Sequence, residues 1–209
     1  MATKSDVDWT IISTALTLAE TRGWRSVTLA EIAAESGQTL GRIAGEFPTK
    51  DAILFAFNQR IDAEILEDFV DRDSSVRDRL FELMMRRLDA LAPHRSAIRA
   101  ILRDTVGDPL ATLSGLCAVH RSMSLTLEAA GVSATGPLGL LRVKALSALY
   151  LRTLYIWLRG DDGGNDRIMA ELDKSLARAE RLATSLGQHA RPRTDRAPGS
   201  EKAGSETTA

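Results

Sequence analysis

Apolar residues recur at helical spacing along most of the chain, and this pattern predicts an all-α fold. The first helix is expected to end at Arg22-Gly23, because glycine suits the left-handed position after a helix. Thr28 and Glu31 have capping-box spacing, in which the hydroxyl and the carboxylate satisfy free amide groups at a helix start. Two short helices are predicted after this cap, up to Gly37 and over 39–46, with Thr49 capping the next.

The helices predicted after residue 50 are longer. Apolar steps of four predict a helix to about Asp71, and similar stripes follow over 76–91, 98–106 and 110–127. A helix over 138–158 carries only three charged residues, so we expect more than one neighbour to cover it. The last helix, over 166–186, has an apolar two-in-seven seam, which predicts a dimer interface shared with the preceding helix. The seam consists of Met169, Leu172, Leu176, Ala179, Ala183 and Leu186.

Composition narrows the functional class. The 209 residues contain 27 Lys and Arg against 28 Asp and Glu, which disfavours a protein that coats nucleic acid or membranes by charge alone. No basic leader and no apolar run of about 18 residues is present, so we expect a cytoplasmic protein without stable membrane insertion. The single cysteine, Cys117, excludes an intramolecular disulfide.

The helix pattern predicts two domains and a tail. Three helices, with a turn over 35–39 between the second and third, have the layout of a helix-turn-helix, whose last helix enters the major groove of DNA. We therefore assign 1–50 to a helix-turn-helix domain and 51–187 to a helical ligand-binding and dimerisation domain. Residues 188–209 lack aromatic residues and are predicted to be disordered.

Spaced elements of the first domain resemble the N-terminal domain of the TetR family of transcriptional regulators. They are Ala15-x-x-x-Ala19-x-x-x-Gly23-Trp24, Val27-Thr28-Leu29-x-x-Ile32-Ala33-x-x-x-Gly37, Leu40-Gly41 and Phe47-Pro48-Thr49-Lys50-Asp51-Ala52-Ile53-Leu54. The resemblance covers about a quarter of the chain. It implies a homodimer that binds a double-stranded DNA operator, with a second helical domain that binds a small molecule.

The resemblance also places six residues near DNA: Thr28, Gln38, Thr39, Gly41, Arg42 and Lys50. Thr28 and Lys50 would contact phosphates, since a helix N-terminus and an ammonium both attract anions. Arg42 could read a guanine edge with two hydrogen bonds, and Gln38 could address adenine. The alternative is that Thr28, Thr39 and Lys50 only cap helices and face solvent.

The predicted recognition helix departs from the family pattern at Ala44-Gly45-Glu46. Ala44 replaces a usual tyrosine whose hydroxyl would bond a phosphate, and Glu46 places a negative charge on the presumed DNA face. Acidic residues also outnumber basic ones across 1–60, which gives this segment a net charge of −1. With few cations to neutralise phosphates, we expect the salt-dependent part of DNA affinity to be small.

The C-terminal half carries a second resemblance, to the ubiquinone-biosynthesis lipid-binding proteins of TetR-like fold. It rests on Arg87-Leu88-x-Ala90-x-Ala92-Pro93 and on Ala145-Leu146-x-Ala148-Leu149-Tyr150-x-x-Thr153-Leu154-Tyr155-x-Trp157-Leu158. Those proteins have lost DNA binding and hold isoprenoid lipid. The resemblance therefore supports an alternative function, an accessory protein that binds lipid or quinone.

Soft or amphipathic side chains on apolar stripes are the candidate pocket residues, because such groups adapt to irregular apolar ligands. They are Met84, His120, Met123, Tyr150 and Trp157, with ordinary core packing as the alternative for each. The sequence has no spacing typical of a metal site, cofactor loop or catalytic triad, so neither an enzyme nor a cofactor is expected. We predict a TetR-type regulator, acting as a repressor that a small apolar or amphiphilic ligand releases from DNA.

Overall fold

The computed structural model describes residues 4–67, 69, 73–160 and 165–189, and within these ranges all regular structure is helical. The predicted all-α fold, with an N-terminal helix-turn-helix followed by a larger helical part, is confirmed. The predicted tail lies outside the described residues from residue 190 onward. The helices are α1 (Lys4–Arg22), α2 (Leu29–Ser36), α3 (Leu40–Glu46), α4 (Lys50–Leu66), α5 (Val76–Leu91), α6 (Arg95–Thr105), α7 (Pro109–Ala129), α8 (Gly136–Arg159) and α9 (Asn165–His189), with a short 3₁₀ turn (Ala92–His94) before α6.

Helix α4 ends earlier than the apolar stripe predicted. Its last residue is Leu66, and Glu67 has an extended backbone with φ −60° and ψ 130°. Phe69, the next residue at the predicted spacing, is not in the helix and lies against the Arg86 guanidinium, 5.3 Å from the ring centroid. The predicted helix to about Asp71 was therefore too long, since α4 ends at Leu66, and Asp71 itself lies outside the described residues.

Helix α1 holds the two predicted domains together. One part of its buried face packs on α2 within the N-terminal three-helix unit, where Ile32, Ile43 and Phe47 are buried. The helix also packs on α4 and α6, which belong to the predicted ligand domain. The boundary at residue 50 stays a prediction, and the packing means that a movement of α6 acts directly on the N-terminal unit.

The core of the C-terminal bundle contains a buried ion pair. Arg87 of α5 is 1% exposed, and its guanidinium donates to the carboxylate of Asp62 on α4. The hydroxyl of Ser122 on α7 donates to the same carboxylate oxygen. The Arg87 guanidinium also lies 5.6 Å from the ring centroid of Tyr150 on α8, so four helices meet at one polar cluster.

Part of the predicted dimer seam on α9 is used inside a single chain. Leu172 and Leu176 are buried where α9 packs on α5 and α8, so they cannot face a partner. Met169 is half-buried and Ala179 is exposed, whereas the side chains of Ala183 and Leu186 lie outside the described residues. The correction has a simple cause, since an antiparallel intrachain helix pair produces the same spacing as an interface between chains.

Helix α8 presents an uncovered apolar face instead. Exposed residues recur along it at steps of three, four and seven, and they are Leu138, Leu141, Ala145, Ala148 and Tyr155. This is the spacing of a helix–helix contact, with small residues at its centre. Among the helices of the described ranges, none combines the length and apolar content that crossing a bilayer requires.

An aromatic cluster around His94 joins the N-terminal unit to the bundle. The His94 ring makes edge contacts with Trp9 of α1 at 5.7 Å and with Phe57 of α4 at 5.3 Å between centroids. Burial lowers the pKa of His94, and the carboxylate of Glu64 offsets part of this effect. The fold therefore favours the neutral imidazole at this junction.

This preference predicts a loss of stability in mild acid. The unfolded chain takes up the proton near its ordinary pKa of 6.5, whereas the folded chain does so only at lower pH. The contribution of His94 should thus be constant above pH 6.5 and decline below it, by less than about 1 kcal/mol because the ring is only half-buried. Urea unfolding at pH 7.5 and pH 5.5 measures it. The decline should be smaller in His94→Gln and unchanged in His120→Gln, and equal declines in all three proteins would refute it.

Candidate nucleic-acid interface

The turn between α2 and α3 has the backbone geometry that a helix-turn-helix requires. Gly37 has φ 67° and ψ 22°, a left-handed conformation that residues with a Cβ rarely adopt. The Gly37 amide donates to the carbonyl of Ala34 at 3.4 Å, and the Gln38 amide donates to that of Ala33 at 3.0 Å. These two hydrogen bonds end α2. Thr39 then starts α3, and its hydroxyl accepts from the amide of Arg42 at 3.3 Å.

Helix α3 is anchored on one side and otherwise open. Ile43 is its only buried residue, and Phe47 directly after the helix is also buried. The remaining residues are exposed and lie around the rest of the helix: Leu40, Gly41, Arg42, Ala44, Gly45 and Glu46. Leu40, a large apolar residue, is 48% exposed. A short helix that projects this far from its core is suited to enter a groove.

The predicted DNA contacts Thr28 and Thr39 lie at the exposed N-termini of α2 and α3. Thr28 completes the predicted capping box, since its amide donates to Glu31 Oε2 at 2.8 Å and the Glu31 amide donates to Thr28 Oγ1 at 3.2 Å. Gln38 is half-buried in the turn, and Gly41 is exposed on α3. The two threonines thus cap helices, and their helix N-termini remain open to solvent.

Lys50 lies at the start of α4, and its ammonium contacts the turn between α1 and α2. Its ammonium donates to the carbonyl of Trp24 at 2.9 Å and to that of Arg25 at 3.5 Å, and it lies 5.1 Å from the Trp24 ring centroid. Burial lowers its pKa, opposed by the carboxylates of Asp51, Glu31 and Asp104. The ammonium is engaged in the fold, and contact of Lys50 with a phosphate stays a prediction.

Arg42 differs from the other cations of the N-terminal unit. Arg22 pairs with Glu31 and Glu35, at 3.5 and 3.2 Å, and the Arg60 guanidinium lies 4.5 Å from the Trp9 ring centroid. Among the described side chains of residues 6–60, Arg42 is the one cation without a hydrogen bond, ion pair or ring contact inside the chain. Its guanidinium fork is therefore available to a ligand of α3.

A second contact, which the sequence did not reveal, links this unit to the bundle. The carboxylate of Asp104, at the end of α6, accepts from the Arg25 amide at 3.1 Å, and Arg25 Nη2 approaches the Asp104 carbonyl at 3.4 Å. The Arg25 amide is the main reason why the pKa of Asp104 is held below its usual range. The peptide segment Trp24–Arg25 is thus held by Lys50 from α4 and by Asp104 from α6. We call this arrangement the turn clamp.

An apolar cavity of about 290 Å³ lies in the C-terminal bundle, between α4, α6, α7 and α8. Its size is close to the lower end of the range for small-molecule sites, roughly 300–1,000 Å³. Apolar side chains from all four helices line it, including Leu54, Ile101, Leu116, Val119 and Leu154. Ile101 and Thr105 line it from either side of Asp104, so the cavity wall and the turn clamp share α6.

Tyr150 is the one predicted pocket residue in the lining of this cavity. Met84 and Met123 are fully buried in the core, where close packing occupies them. Trp157 is buried beneath the Arg95 guanidinium, 5.2 Å from its ring centroid. His120 is half-buried and outside the lining. The cavity instead borders small residues of α7, which leave space that larger side chains would fill: Ala111, Gly115 and Ala118.

Glu46 offers a direct test of which surface meets DNA. If α3 enters the groove, its exposed carboxylate opposes the phosphates, and Glu46→Gln should raise DNA affinity about two- to fivefold at 50 mM salt. The gain should shrink as salt is raised, because salt screens exposed charges. Fluorescence anisotropy with a labelled duplex measures it. Asp89→Asn, which removes an exposed acid from α5, is the control. Equal affinities of Glu46→Gln and the unaltered protein would exclude α3 from the contact.

Comparison with known proteins finds similarity to one family in the segment that contains these features. Residues 11–57 match the sequence model of bacterial regulatory proteins of the tetR family. No curated protein sequence matches the chain significantly. A TetR transcriptional regulator from Nitrosomonas europaea has 26% identity and a TM-score of 0.68, over 84% of this chain and 98% of that one.

Two further structures share the fold at lower identity. A TetR regulator from Rhodococcus sp. RHA1 is 19% identical with a TM-score of 0.61, over 84% of this chain and 96% of that one. The TetR-family repressor FadR from Thermus thermophilus, solved with lauroyl-CoA, is 20% identical with a TM-score of 0.57, over 92% and 100%. Neither the family match over 11–57 nor the 26% identical regulator favours the lipid-binding alternative from quinone biosynthesis.

Proposed function

We propose that this chain, a member of the TetR family of bacterial regulatory proteins, is a dimeric repressor that a small ligand releases from its DNA operator. The observation that carries the proposal is the α2–turn–α3 unit, whose exposed third helix presents the Arg42 guanidinium with no partner among the described residues. The family match over 11–57 covers this unit, and the cavity beside α6 offers a place for the ligand.

DNA recognition in this proposal depends on few contacts. Arg42 would read a guanine through two parallel hydrogen bonds, and Gln38 would address an adjacent base. The N-termini of α2 and α3, with Thr28, Thr39 and Gly41, would receive phosphates. Because Lys50 is engaged in the turn clamp, few cations remain to neutralise phosphates. Affinity for random DNA should therefore be low, and the operator should be distinguished mainly by base contacts.

The uncovered face of α8 would form the dimer. The small residues Ala145 and Ala148 at the centre of that face allow two helices to approach closely. Two recognition helices held in this way must meet half-sites about 34–36 Å apart. A ligand that favours a different spacing would lower DNA affinity, and only to the extent that it prefers that state.

Ala145→Glu tests the interface. A carboxylate at the centre of the α8 face would be buried without a partner in the dimer, so we expect mostly monomer at 10 μM and a loss of operator binding of at least tenfold. Sedimentation velocity and anisotropy measure the two effects. Asp173→Ala changes an exposed residue of α9 and should leave the dimer intact. A dimeric Ala145→Glu protein would place the interface elsewhere.

The turn clamp supplies the link between ligand and DNA. Helices α4 and α6 both line the cavity, and both hold Trp24–Arg25 through Lys50 and Asp104. A ligand that moves α6 relative to α4 would therefore displace the turn that precedes α2. This would reorient α2 and α3, and so change the distance between the recognition helices of the dimer.

The deciding experiment is binding of the purified protein to the DNA upstream of its own coding sequence, titrated over salt. Specific binding that competitor DNA of random sequence does not displace is expected between 50 and 200 mM salt. An absence of sequence-specific binding at 50 mM salt would overturn the regulator. Stoichiometric isoprenoid lipid in the purified protein, together with that absence, would instead support the quinone-biosynthesis alternative.

A further inference from the structure

We propose that the apolar cavity selects an uncharged lipophilic ligand and discriminates against anionic amphiphiles. This inference rests on the proposed function, because it names the chemical class of the effector at the same site. It also separates this chain from the relative solved with lauroyl-CoA, a ligand that carries phosphate groups.

The side chains that line the cavity are almost all uncharged. Most of it is aliphatic or aromatic, and its neutral polar members lie on three helices: Asn58, Thr105, Thr112 and Ser114. Among the described residues that line the cavity there is no lysine, arginine or histidine, and the one charged residue is the acid Asp51. An anion that enters an apolar site loses its hydration, and without a cation nothing in the wall replaces it.

Cations near the cavity are already engaged. The Arg121 guanidinium lies 5.1 Å from the ring centroid of Phe55, which lines the cavity. Behind Tyr150, the Arg87 guanidinium is paired with Asp62. Lys50, next to Asp51, donates to the carbonyls of the turn clamp. Each of these groups therefore already has an interaction within the fold.

A lipophilic cation fits the same surroundings poorly. The Arg121 guanidinium already lies over the ring of Phe55, and the ring of Phe57 makes an edge contact with the His94 ring. The carboxylate of Asp51 is next in sequence to an ammonium and lies in the first turn of α4, where the helix dipole stabilises it. Phe55 and Phe57 therefore already have a guanidinium or a ring beside them, and the charge of Asp51 is partly offset by Lys50, so an uncharged molecule is the class that we propose for this cavity.

A matched pair of probes tests the inference. N-phenyl-1-naphthylamine is uncharged, and 8-anilinonaphthalene-1-sulfonate has the same ring system with a sulfonate added. Both become fluorescent in apolar sites, so both can be titrated into the full chain. We expect the uncharged probe to bind in the cavity at least tenfold more tightly. Asp51→Asn should strengthen binding of the sulfonate several-fold and change the uncharged probe by less than twofold.

Two variants identify the site of binding. Ala118→Trp fills the cavity and should abolish the cavity-bound signal, whereas Ala63→Trp adds the same indole to the exposed face of α4 and should leave the signal intact. Probe binding that survives Ala118→Trp, or equal or tighter cavity binding of the sulfonate, would overturn the inference. The inference would also be overturned if the lipophilic cation tetraphenylphosphonium displaced the uncharged probe at a lower concentration than neutral triphenylmethane does.

The two proposals can fail separately. If the protein binds its upstream DNA but prefers the sulfonate, the proposed regulator function stands and only the proposal of an uncharged ligand fails. If the cavity prefers the uncharged probe but the protein shows no sequence-specific DNA binding, the regulator function fails and the proposed ligand class stands. Release of bound DNA by the uncharged probe, and not by the sulfonate, would support both.

Discussion

Arg42→Ala is expected to lower operator affinity roughly tenfold to a hundredfold, which corresponds to about 1–3 kcal/mol. The reason is that the other described cations of the N-terminal unit have partners in the fold, so one side chain carries most of the base reading. Its removal should also relax sequence preference at one position of each half-site. The free energy of unfolding should stay unchanged within about 0.5 kcal/mol, because the side chain is exposed.

Arg42→Lys separates charge from geometry. Lysine retains the positive charge and lacks the planar fork, so binding to random DNA should survive while operator preference falls. Arg178→Ala, which removes an exposed guanidinium from α9, controls for net charge. Anisotropy titrations on operator and random duplexes at three salt concentrations measure these effects. If Arg42→Ala retained the operator-to-random ratio, α3 would not read bases through this residue.

Arg87→Met is expected to lower the free energy of unfolding by about 3–5 kcal/mol, the largest effect on stability that we expect in this chain. The substitution leaves the Asp62 carboxylate buried with only the Ser122 hydroxyl beside it. A buried charge without its counterion has lost its hydration and receives too little in return. The protein should melt at a lower temperature and lose operator binding as it unfolds.

A neighbouring residue gives the matched control. Arg86 pairs with Glu82 at 2.6 Å on the partly exposed side of α5, and Arg86→Met should cost less than about 1 kcal/mol. The double variant Asp62→Leu/Arg87→Met removes both charges, so it should recover much of the lost stability. Urea unfolding of the unaltered protein and these three variants measures the losses, and the single variant Asp62→Leu completes the double-mutant cycle. Equal losses in Arg86→Met and Arg87→Met would contradict a special role for the buried pair.

The helices were predictable because local signals agree with the long-range packing. The hydroxyls of Thr28, Thr39 and Thr49 accept hydrogen bonds from backbone amides that a helix start would otherwise leave unpaired. Gly37 adopts the left-handed conformation that the α2–α3 turn needs. These features depend on a few adjacent residues. The end of α4 depends on where Phe69 packs, and a contact with α5 cannot be read from the apolar spacing of α4 alone.

The dimer surface could be predicted only in part. The spacing on α9 correctly indicates a helix partner, but it does not tell whether that partner belongs to the same chain. Leu172 and Leu176 pack inside the bundle, so the apolar face left for another copy is that of α8. Its spacing was hidden in the sequence, because buried and uncovered apolar residues alternate around a helix that is apolar on most sides.

The candidate DNA site could be predicted by position but not by the engagement of its side chains. Lys50 lies at the start of α4 as expected, yet its ammonium reaches back to the carbonyls of residues 24 and 25. Such a contact depends on the angle between α4 and the α1–α2 turn. Arg42 could not be singled out for the same reason, because it differs from the other cations only in that they have partners in the folded chain.

The cavity and the buried ion pair differ in what the sequence could have revealed. Asp62 shares a helix face with Ile65 and Leu66, and Arg87 shares one with Met84 and Leu91. Opposite charges on two apolar stripes are a usable signal for a buried pair. The cavity gives no such signal, because the same apolar spacing describes filled and unfilled space.

Each tryptophan of this chain lies beside a cation of another helix. Trp9 faces Arg60, Trp24 faces Lys50 and Trp157 faces Arg95, at 4.5, 5.1 and 5.2 Å from the ring centroids. Indole emission depends on nearby charge, so each ring reports optically on one helix junction. With Trp9→Phe and Trp157→Phe, the remaining emission would come from the turn clamp itself. The route from ligand to DNA could then be followed in real time without a label.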